Sequence, residues 1–305
     1  NITTTVTPLE RNRVGINFNI EEGVAAKIKQ INLVGAKAFS EKELLSQFEL
    51  TTPGMLTWYT KNDQYSRQKL SADLEKVKSF YMNQGYLEFA VESTQVSISP
   101  DKQDVYITAN IVEGERFQVS SVKMAGDFTI PEDELKKLVT IIPGDVFSRE
   151  KLNGTTKAIS DRLGKEGYAF ANVNAAPEID KVKRTVAFTI FVDPGKRVYV
   201  RRVNVTGNTK TRDEVVRREM RQMEGGWYDA DKVTASKQRI DRLGFFGDVA
   251  IETPAVSGTA DQLDVNVNVT EKPTGNLMLG LGTSSTDKII LSGSIAQNNF
   301  MGSGN

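Results

Sequence analysis

One short pattern occurs three times in this chain and limits the folds open to it. Apolar residues alternate along a segment that ends in glycine, at residues 28–35, 119–126 and 200–207. The terminal glycines lie 91 and 81 residues apart, roughly one small domain each. The alternation predicts a strand in each copy, and the glycine predicts a turn with positive φ.

Signals for two helices follow each predicted strand. Ser40, Thr129 and Thr211 each precede a glutamate by three positions, which is the S/T-x-x-E pattern of a helix start. Apolar residues at helical spacing indicate a second helix. Each second helix is expected to end at a glycine followed by an aromatic residue, at Gly85–Tyr86, Gly167–Tyr168 and Gly244–Phe245.

Strands with alternating apolar residues close each copy, and one face of each should be buried. These residues are Val105, Ile107, Ala109 and Ile111; Val186, Phe188, Ile190 and Val192; and Leu263, Val265, Val267 and Val269. The predicted fold class is therefore α+β: tandem β-α-α-β-β repeats, each a three-stranded sheet with two helices on one face. A similar strand at residues 14–20 indicates that the chain begins inside a fourth copy.

The first complete copy is longer than the second between its two helices. Gly35 and Gly85 are 50 positions apart, whereas Gly126 and Gly167 are 41 apart. The extra residues predict a longer loop, which carries Trp58 and Tyr59. We expect these aromatic side chains to pack back on their own domain, and the alternative is that they are exposed.

Composition excludes most common functional sites. The chain has no cysteine and no histidine, which removes disulfides, thiol nucleophiles and imidazole bases. Lys and Arg number 39 and Asp and Glu number 39, so no net charge attracts nucleic acid. No nucleotide or calcium motif is present. We expect no enzyme activity, no cofactor or metal, and no nucleic-acid or small-molecule partner.

The last thirty residues have a different character, with five glycines and only two charged side chains. Leu277, Leu279 and Leu281 alternate with other residues, and a second alternating segment follows a predicted turn at residues 284–287. This pattern predicts a hairpin with one apolar face. It is typical both of transmembrane barrel strands and of soluble edge hairpins. No segment predicts a membrane helix, and no signal peptide is seen.

The array of repeats followed by glycine-rich strands resembles the POTRA (polypeptide-transport-associated) repeats and first barrel strands of outer-membrane β-barrel assembly factors. The resemblance rests on residues 7–13, 217–225, 242–246 and 299–304. It implies that both ends are truncated and assigns residues 1–23 to the C-terminal part of a second repeat. It further assigns residues 24–114, 115–195 and 196–273 to the third, fourth and fifth repeats, and residues 274–305 to the first strands of a transmembrane barrel.

The resemblance also implies a function, a location and partners. The function is non-enzymatic assembly and insertion of β-barrel proteins at the bacterial outer membrane, with the repeats in the periplasm. The implied partners are unfolded outer-membrane proteins, accessory lipoproteins of the assembly complex, and outer-membrane lipid around the barrel. Clients would add strands to an exposed sheet edge, which hardly depends on client sequence. The alternative is a transporter that secretes one dedicated partner.

Three candidate surfaces follow, each with an ordinary structural alternative. The edge strand for clients comprises Thr94, Gln95, Val96, Ser97 and Ile98, which could equally form a solvated edge. The lipoprotein surface comprises Arg217, Arg218, Arg221 and Glu224, which could be a solvated helical face. The first barrel strand, at a lateral seam, comprises Leu277, Leu279, Gly280, Leu281 and Gly282, whose glycines could instead relieve crowding in a barrel wall.

Overall fold

The computed structural model describes residues 2–9, 13–20, 26–54, 57–282 and 290–304. The chain forms two compact units. The first contains residues 1–121, 141–151 and 178–187, and the second contains residues 122–140, 152–177 and 188–305. The middle repeat contributes residues to both units.

The described elements repeat in the predicted order. A hairpin of β1 (Ile2–Leu9) and β2 (Arg13–Ile20) comes first. The first complete repeat comprises β3 (Lys27–Val34), α1 (Glu41–Leu45), α2 (Thr57–Thr60), α3 (Arg67–Asn83), β4 (Ala90–Ile98) and β5 (Asp104–Val112). The middle repeat comprises β6 (Gln118–Gly126), α4 (Glu132–Lys136), α5 (Arg149–Lys165), β7 (Asn172–Asp180) and β8 (Thr185–Asp193). The last repeat comprises β9 (Tyr199–Thr206), α6 (Asp213–Arg217), α7 (Ala230–Arg242), β10 (Phe246–Glu252) and β11 (Gln262–Glu271), followed by β12 (Gly275–Gly282) and β13 (Ile290–Gln297).

Each repeat forms one three-stranded sheet, with strand orders β3-β5-β4, β6-β8-β7 and β10-β11-β9. The last strand of each repeat is central, and the second strand lies at an edge. In the first and last repeats the central strand runs parallel to the first strand and antiparallel to the second. The predicted α+β fold with tandem three-stranded sheets is confirmed.

The apolar residues of the central strands form the cores, as their alternation predicts. Val105 and Ile107 are fully buried, and the middle and last repeats bury Ile190 and Val265 in the same way. The long helix of each repeat packs its apolar residues on this face, for example Val77 of α3. These long helices, α3, α5 and α7, are the second helices that the sequence predicts. Each repeat therefore has a core of its own. Burial of one such side chain stabilises a fold by about 1.5–3 kcal/mol.

The first helices begin differently from the prediction in two repeats. Ser40 caps α1 as expected, and its hydroxyl accepts a hydrogen bond from the Glu43 amide. The prediction is wrong for Thr129, because α4 begins at Glu132 and Pro131 is its cap residue. It is also wrong for Thr211, which lies outside α6 and accepts a hydrogen bond from Asn299 instead. The spacing matches, but tertiary contacts decide which residue begins the helix.

A buried polar side chain in the second helix holds the loop between the helices in every repeat. The Asp73 carboxylate of α3 accepts the amides of Glu49 and Leu50, both at 2.9 Å. Thr155 in α5 and Ser236 in α7 lie at the matching positions and accept amides from residues 140 and 221, at 3.1 and 2.8 Å. These bonds satisfy loop amides that burial would otherwise leave unpaired.

The glycines that end the second helices also join successive repeats. Gly85 and Gly167 have φ of +99° and +98°, which suits glycine and ends the helix as predicted. The Gly85 carbonyl accepts the amide of Phe117, and the Gly167 carbonyl accepts the amide of Val198, both at 2.9 Å. Since Phe117 and Val198 begin the next repeats, the same backbone bond forms both junctions.

Candidate functional site

The predicted client strand, residues 94–98, lies on β4 at the edge of the first repeat's sheet. In the described part of the chain, β5 is the only strand that pairs with it. Thr94, Gln95, Ser97 and Ile98 are exposed, while Val96 is half-buried against the core. The outer side of β4 is therefore open.

The register of β4 shows which backbone groups point outward. The Ser99 amide donates to the Asp104 carbonyl at 2.9 Å, and the two strands pair without a shift from Ser93 to Ile98. Hydrogen-bonded residues alternate along an antiparallel pair, so Gln95 and Ser97 bond to β5. The N–H and C=O groups of Thr94, Val96 and Ile98 consequently face away from β5, where an added strand would pair.

The opposite edges of the sheets are partly covered by loops. In the middle repeat the Val119 amide donates to the Asp145 carbonyl at 2.8 Å. In the last repeat the Gly225 amide donates to the Val200 carbonyl at 2.7 Å, and the Val203 amide donates to the Glu224 carboxylate at 2.7 Å. The Glu224 carboxylate therefore accepts the Val203 amide, a donor on the outer side of β9 that an added strand would otherwise use.

The four residues of the predicted lipoprotein surface do not form one charged face. Arg217 bonds to Asp213 and lies 3.7 Å from Glu224, so these two members of the set are together. Arg218 instead donates to the Gly304 carbonyl at 3.1 Å. Arg221 is exposed and its amide donates to Ser236. Helical spacing cannot bring the four side chains to one face, because α6 ends at Arg217 and the other three residues follow it.

The predicted terminal hairpin is present as the antiparallel pair β12–β13. Leu277 pairs with Ile295 and Leu281 with Leu291, so the exposed leucines and isoleucine share one face. Leu279, Gly280 and Gly282 are also on β12, and Leu279 is opposite Gly293. Within the described residues these strands form a two-stranded sheet and no barrel. The predicted turn at residues 284–287 lies outside the described residues.

Glu271, at the end of β11, organises a loop that sequence reasoning missed. Its carboxylate accepts the Thr209 hydroxyl at 2.7 Å and the amides of Lys210 and Thr211 at 3.0 and 2.6 Å. Burial alone would raise the pKa of Glu271, but these hydrogen bonds lower it from 4.5 to about 2. Glu113 has the same role in the first repeat, where it accepts the amides of Lys37 and Ala38. In both repeats this glutamate follows the last buried residue of the final strand, Ile111 or Val269, by two positions, and that spacing is the sequence pattern that could have predicted it.

The lowered pKa of Glu271 predicts acid sensitivity of the last repeat. Because the folded pKa lies below 4.5, the stabilisation is complete above pH 4.5 and is lost as pH falls toward 2. Acid unfolding followed by the fluorescence of Trp227, in a Trp58→Phe background, should show this dependence. A Glu271→Gln variant should be less stable at pH 7 and change less between pH 4.5 and 2. Parallel curves for the two proteins would contradict this assignment.

The described residues contain no group of three acidic side chains arranged to hold a metal ion. The buried Asp63 pairs with Lys27 at 3.0 Å, and the buried Asp73 holds its loop. These carboxylates thus have structural partners. Among the described helices, none is both long enough and apolar enough to cross a membrane.

Comparison with known families identifies the repeats. The sequence profile of the POTRA family, described as "Surface antigen variable number repeat", matches residues 26–114, 117–195 and 198–272. The chain belongs to the POTRA family.

Two curated relatives of these POTRA repeats are both named outer membrane protein assembly factor BamA. The protein from Neisseria meningitidis is 39% identical over 304 residues, covering 99% of this chain and 38% of the relative. The Buchnera aphidicola protein is 32% identical, covering 97% of this chain and 48% of the relative. The chain thus spans less than half the length of these relatives. Their names agree with the predicted localisation at the bacterial outer membrane.

Solved structures of BamA are also similar to this chain. The crystal structure of Haemophilus influenzae BamA POTRA3-5 aligns with a TM-score of 0.72 at 30% identity, covering 81% of this chain and 96% of that one. BamA from Haemophilus ducreyi lacking POTRA domains 1-3 aligns with a TM-score of 0.52 at 34% identity, covering 61% of this chain and 35% of that one.

The aromatic residues in the longer loop of the first POTRA repeat are exposed, so the prediction that they pack on their own domain is wrong. Trp58 and Tyr59 lie on the short α2 and are 78% and 77% exposed. Their rings contact each other edge to face at a centroid distance of 6.0 Å. No residue of α2 is buried, so this short helix lies on the surface of the repeat and does not bring the two rings to the core.

Proposed function

We propose that this chain is the POTRA region and first barrel strands of a factor that assembles β-barrel proteins into the bacterial outer membrane. The observation that carries the proposal is the open backbone edge of β4 in a POTRA repeat whose curated relatives are named outer membrane protein assembly factors. In this assignment residues 1–23 complete a preceding repeat, and residues 274–305 begin the barrel.

Unfolded outer-membrane polypeptides bind β4 by strand addition in this proposal. The outward N–H and C=O groups of Thr94, Val96 and Ile98 supply hydrogen bonds that any client backbone can complete. Along the predicted client strand the exposed side chains are uncharged and polar apart from Ile98, namely Thr94, Gln95 and Ser97, so they leave client sequence largely unrestricted. This suits a factor that handles many different clients.

The hairpin β12–β13 starts the barrel in this proposal, and β12 is the strand at a lateral seam. Its support is the shared apolar face, on which Leu277, Leu279 and Leu281 are all exposed. Such a face would contact lipid, since alternating apolar residues line the outside of membrane barrels. Gly280 and Gly282 reduce side-chain packing along the seam and favour its opening.

An accessory lipoprotein of the assembly complex binds near Arg217 and Glu224 in this proposal. Glu224→Lys is expected to reduce lipoprotein capture by at least about tenfold, because it replaces the negative charge beside Arg217 with a second positive charge. The cost to the last repeat should stay near 1 kcal/mol, from losing the part-buried hydrogen bond that the Val203 amide donates to Glu224. Pull-down by the full-length protein measures capture, and thermal unfolding measures the stability of the chain.

A Glu224→Gln variant is the matched control for that prediction. It keeps an acceptor for the Val203 amide but removes the negative charge. We expect an intermediate loss of capture if charge recognition matters. Unchanged capture by a folded Glu224→Lys variant would contradict the proposed role.

Site-specific photo-crosslinking in the full-length protein tests the function as a whole. Probes at Ile98, Glu224 and Leu279 are compared in envelopes that are synthesising outer-membrane proteins. The proposal expects adducts to many nascent barrel proteins at Ile98 and Leu279, and to lipoproteins at Glu224. A probe at Lys237, exposed on α7, serves as the background control. Adducts to one exported protein only would instead show a dedicated secretion transporter.

A further inference from the structure

The segment after the terminal hairpin returns to the last POTRA repeat and docks on it. Asn299 is buried, and its side-chain amide donates to the Thr211 hydroxyl at 2.7 Å. The Arg212 amide donates to the Gly302 carbonyl at 3.0 Å, and the Arg218 guanidinium donates to the Gly304 carbonyl at 3.1 Å. Residues 299–304, which we call the anchor turn, therefore contact the start and the end of α6.

The shape of the anchor turn depends on its own sequence. The Gly304 amide donates to the Asn299 side-chain carbonyl at 2.9 Å, which closes the turn on itself. Asn299 and Gly302 have φ of +56° and +70°, a region that asparagine and glycine tolerate best. A Cβ added to Gly302 would overlap the Lys210 carbonyl oxygen. Close approach of the two backbones thus requires glycine at this position.

The receiving loop on the repeat is formed by Glu271. The carboxylate holds the amides of Lys210 and Thr211 in place, and these residues contact the anchor turn directly. Glu271 also comes directly before Lys272, where the chain leaves the repeat for the hairpin. Glu271 therefore stands where the chain leaves the repeat, and its side chain holds the loop on which the anchor turn docks.

Both ends of the hairpin are fixed to each other as well. The Gln297 side chain donates to the Thr274 hydroxyl at 2.8 Å, and the Asn298 amide donates to the Thr274 carbonyl at 3.1 Å. A single covalent link through residues 272–274 would leave the hairpin free to swing, because a few backbone angles can absorb a hinge motion. The second attachment at the anchor turn removes that freedom.

We propose that the anchor turn is a clamp that holds the hairpin at one fixed orientation on the last POTRA repeat. If the last repeat moves, β12 moves with it, because the hairpin is attached to the repeat both through residues 272–274 and through the anchor turn. The inference goes beyond the assembly function, because it holds whether or not β12 and β13 continue into a barrel. Asn299 and Gly302 act as positioning residues, and the partner surface is the loop at residues 209–212.

The chain contains no cysteine, which permits a direct distance test. Spin labels on Lys237→Cys in α7 and Ser294→Cys in β13, both exposed positions, report the distance between repeat and hairpin in detergent micelles. The parent chain should give one narrow distribution. Gly302→Ala should broaden it at least about twofold, because the added methyl group prevents close approach at Lys210.

Gly258→Ala is the matched control, since Gly258 has a similar φ of +83° but nothing near its Cβ position. It should leave the distance distribution narrow. Amide exchange gives a second measurement: Gly302→Ala should speed exchange of the Arg212 amide at least about tenfold without affecting that of Val203. A distribution equally narrow in Gly302→Ala, or equally broadened in Gly258→Ala, would overturn the clamp.

Discussion

Replacing Asp73 by alanine should lower the free energy of unfolding of the first complete repeat by about 3–5 kcal/mol. The side chain is fully buried, and its two oxygens accept the amides of Glu49 and Leu50. Alanine would leave these amides without acceptors, and the Leu50 side chain that they position is almost fully buried. The loop between α1 and α3 would then lose its attachment to the core.

Native-state hydrogen exchange of the β5 amides measures this loss, because these amides exchange only when the repeat unfolds. The matched control is Lys76→Ala, which removes the cation 2.9 Å from Asp73. Its amine is half-exposed, so the expected cost is below about 1 kcal/mol. Ser236→Ala in the last repeat should cost about 1–3 kcal/mol, because a neutral hydroxyl is a weaker acceptor. Equal costs for Asp73→Ala and Lys76→Ala would contradict the assigned role.

Proline at position 94 should abolish client binding to β4 while leaving the repeat folded. The Thr94 amide points away from β5, so proline removes an outward donor and breaks no bond within the sheet. We expect client crosslinking at Ile98 in the full-length protein to fall at least about tenfold, because strand addition depends on consecutive backbone bonds. The free energy of unfolding should change by less than about 1 kcal/mol.

Proline at position 95, one residue further along the same edge, is the matched control. The Gln95 amide faces β5, so this variant should lose about 3 kcal/mol or more of stability. Both side chains are exposed, and the two variants therefore differ mainly in the direction of the lost amide. If Thr94→Pro were as unstable as Gln95→Pro, the assigned register would be wrong. Full client crosslinking in a folded Thr94→Pro variant would contradict strand addition at β4.

Periodicity was sufficient to predict the elements that bury their own apolar residues. The alternating residues of β5, β8 and β11 form the cores, and Gly85 and Gly167 end the second helices, as predicted. A repeat seen three times allowed each weak signal to support the others. Residues 94–98 were singled out through the resemblance to POTRA repeats, and the structure places them on the edge strand β4.

Predictions that depended on short spacing alone were less successful. Arg217 and Arg218 are adjacent in sequence, yet one pairs with Asp213 and Glu224 while the other holds the anchor turn. Thr211 has the spacing of a capping residue, but Asn299 uses its hydroxyl. A local pattern cannot show that residues 88 positions apart will meet.

The sequence by itself determined the repeat fold, its cores and the apolar face of the hairpin, because periodic burial is encoded residue by residue along each element. Only the tertiary structure decided how polar groups are paired. It assigned the loop amides to Asp73 and Glu271, left Trp58 exposed, and docked the anchor turn on the last repeat. Hydrogen bonds are directional and short, so their partners are set by the three-dimensional approach of distant segments and not by composition or period.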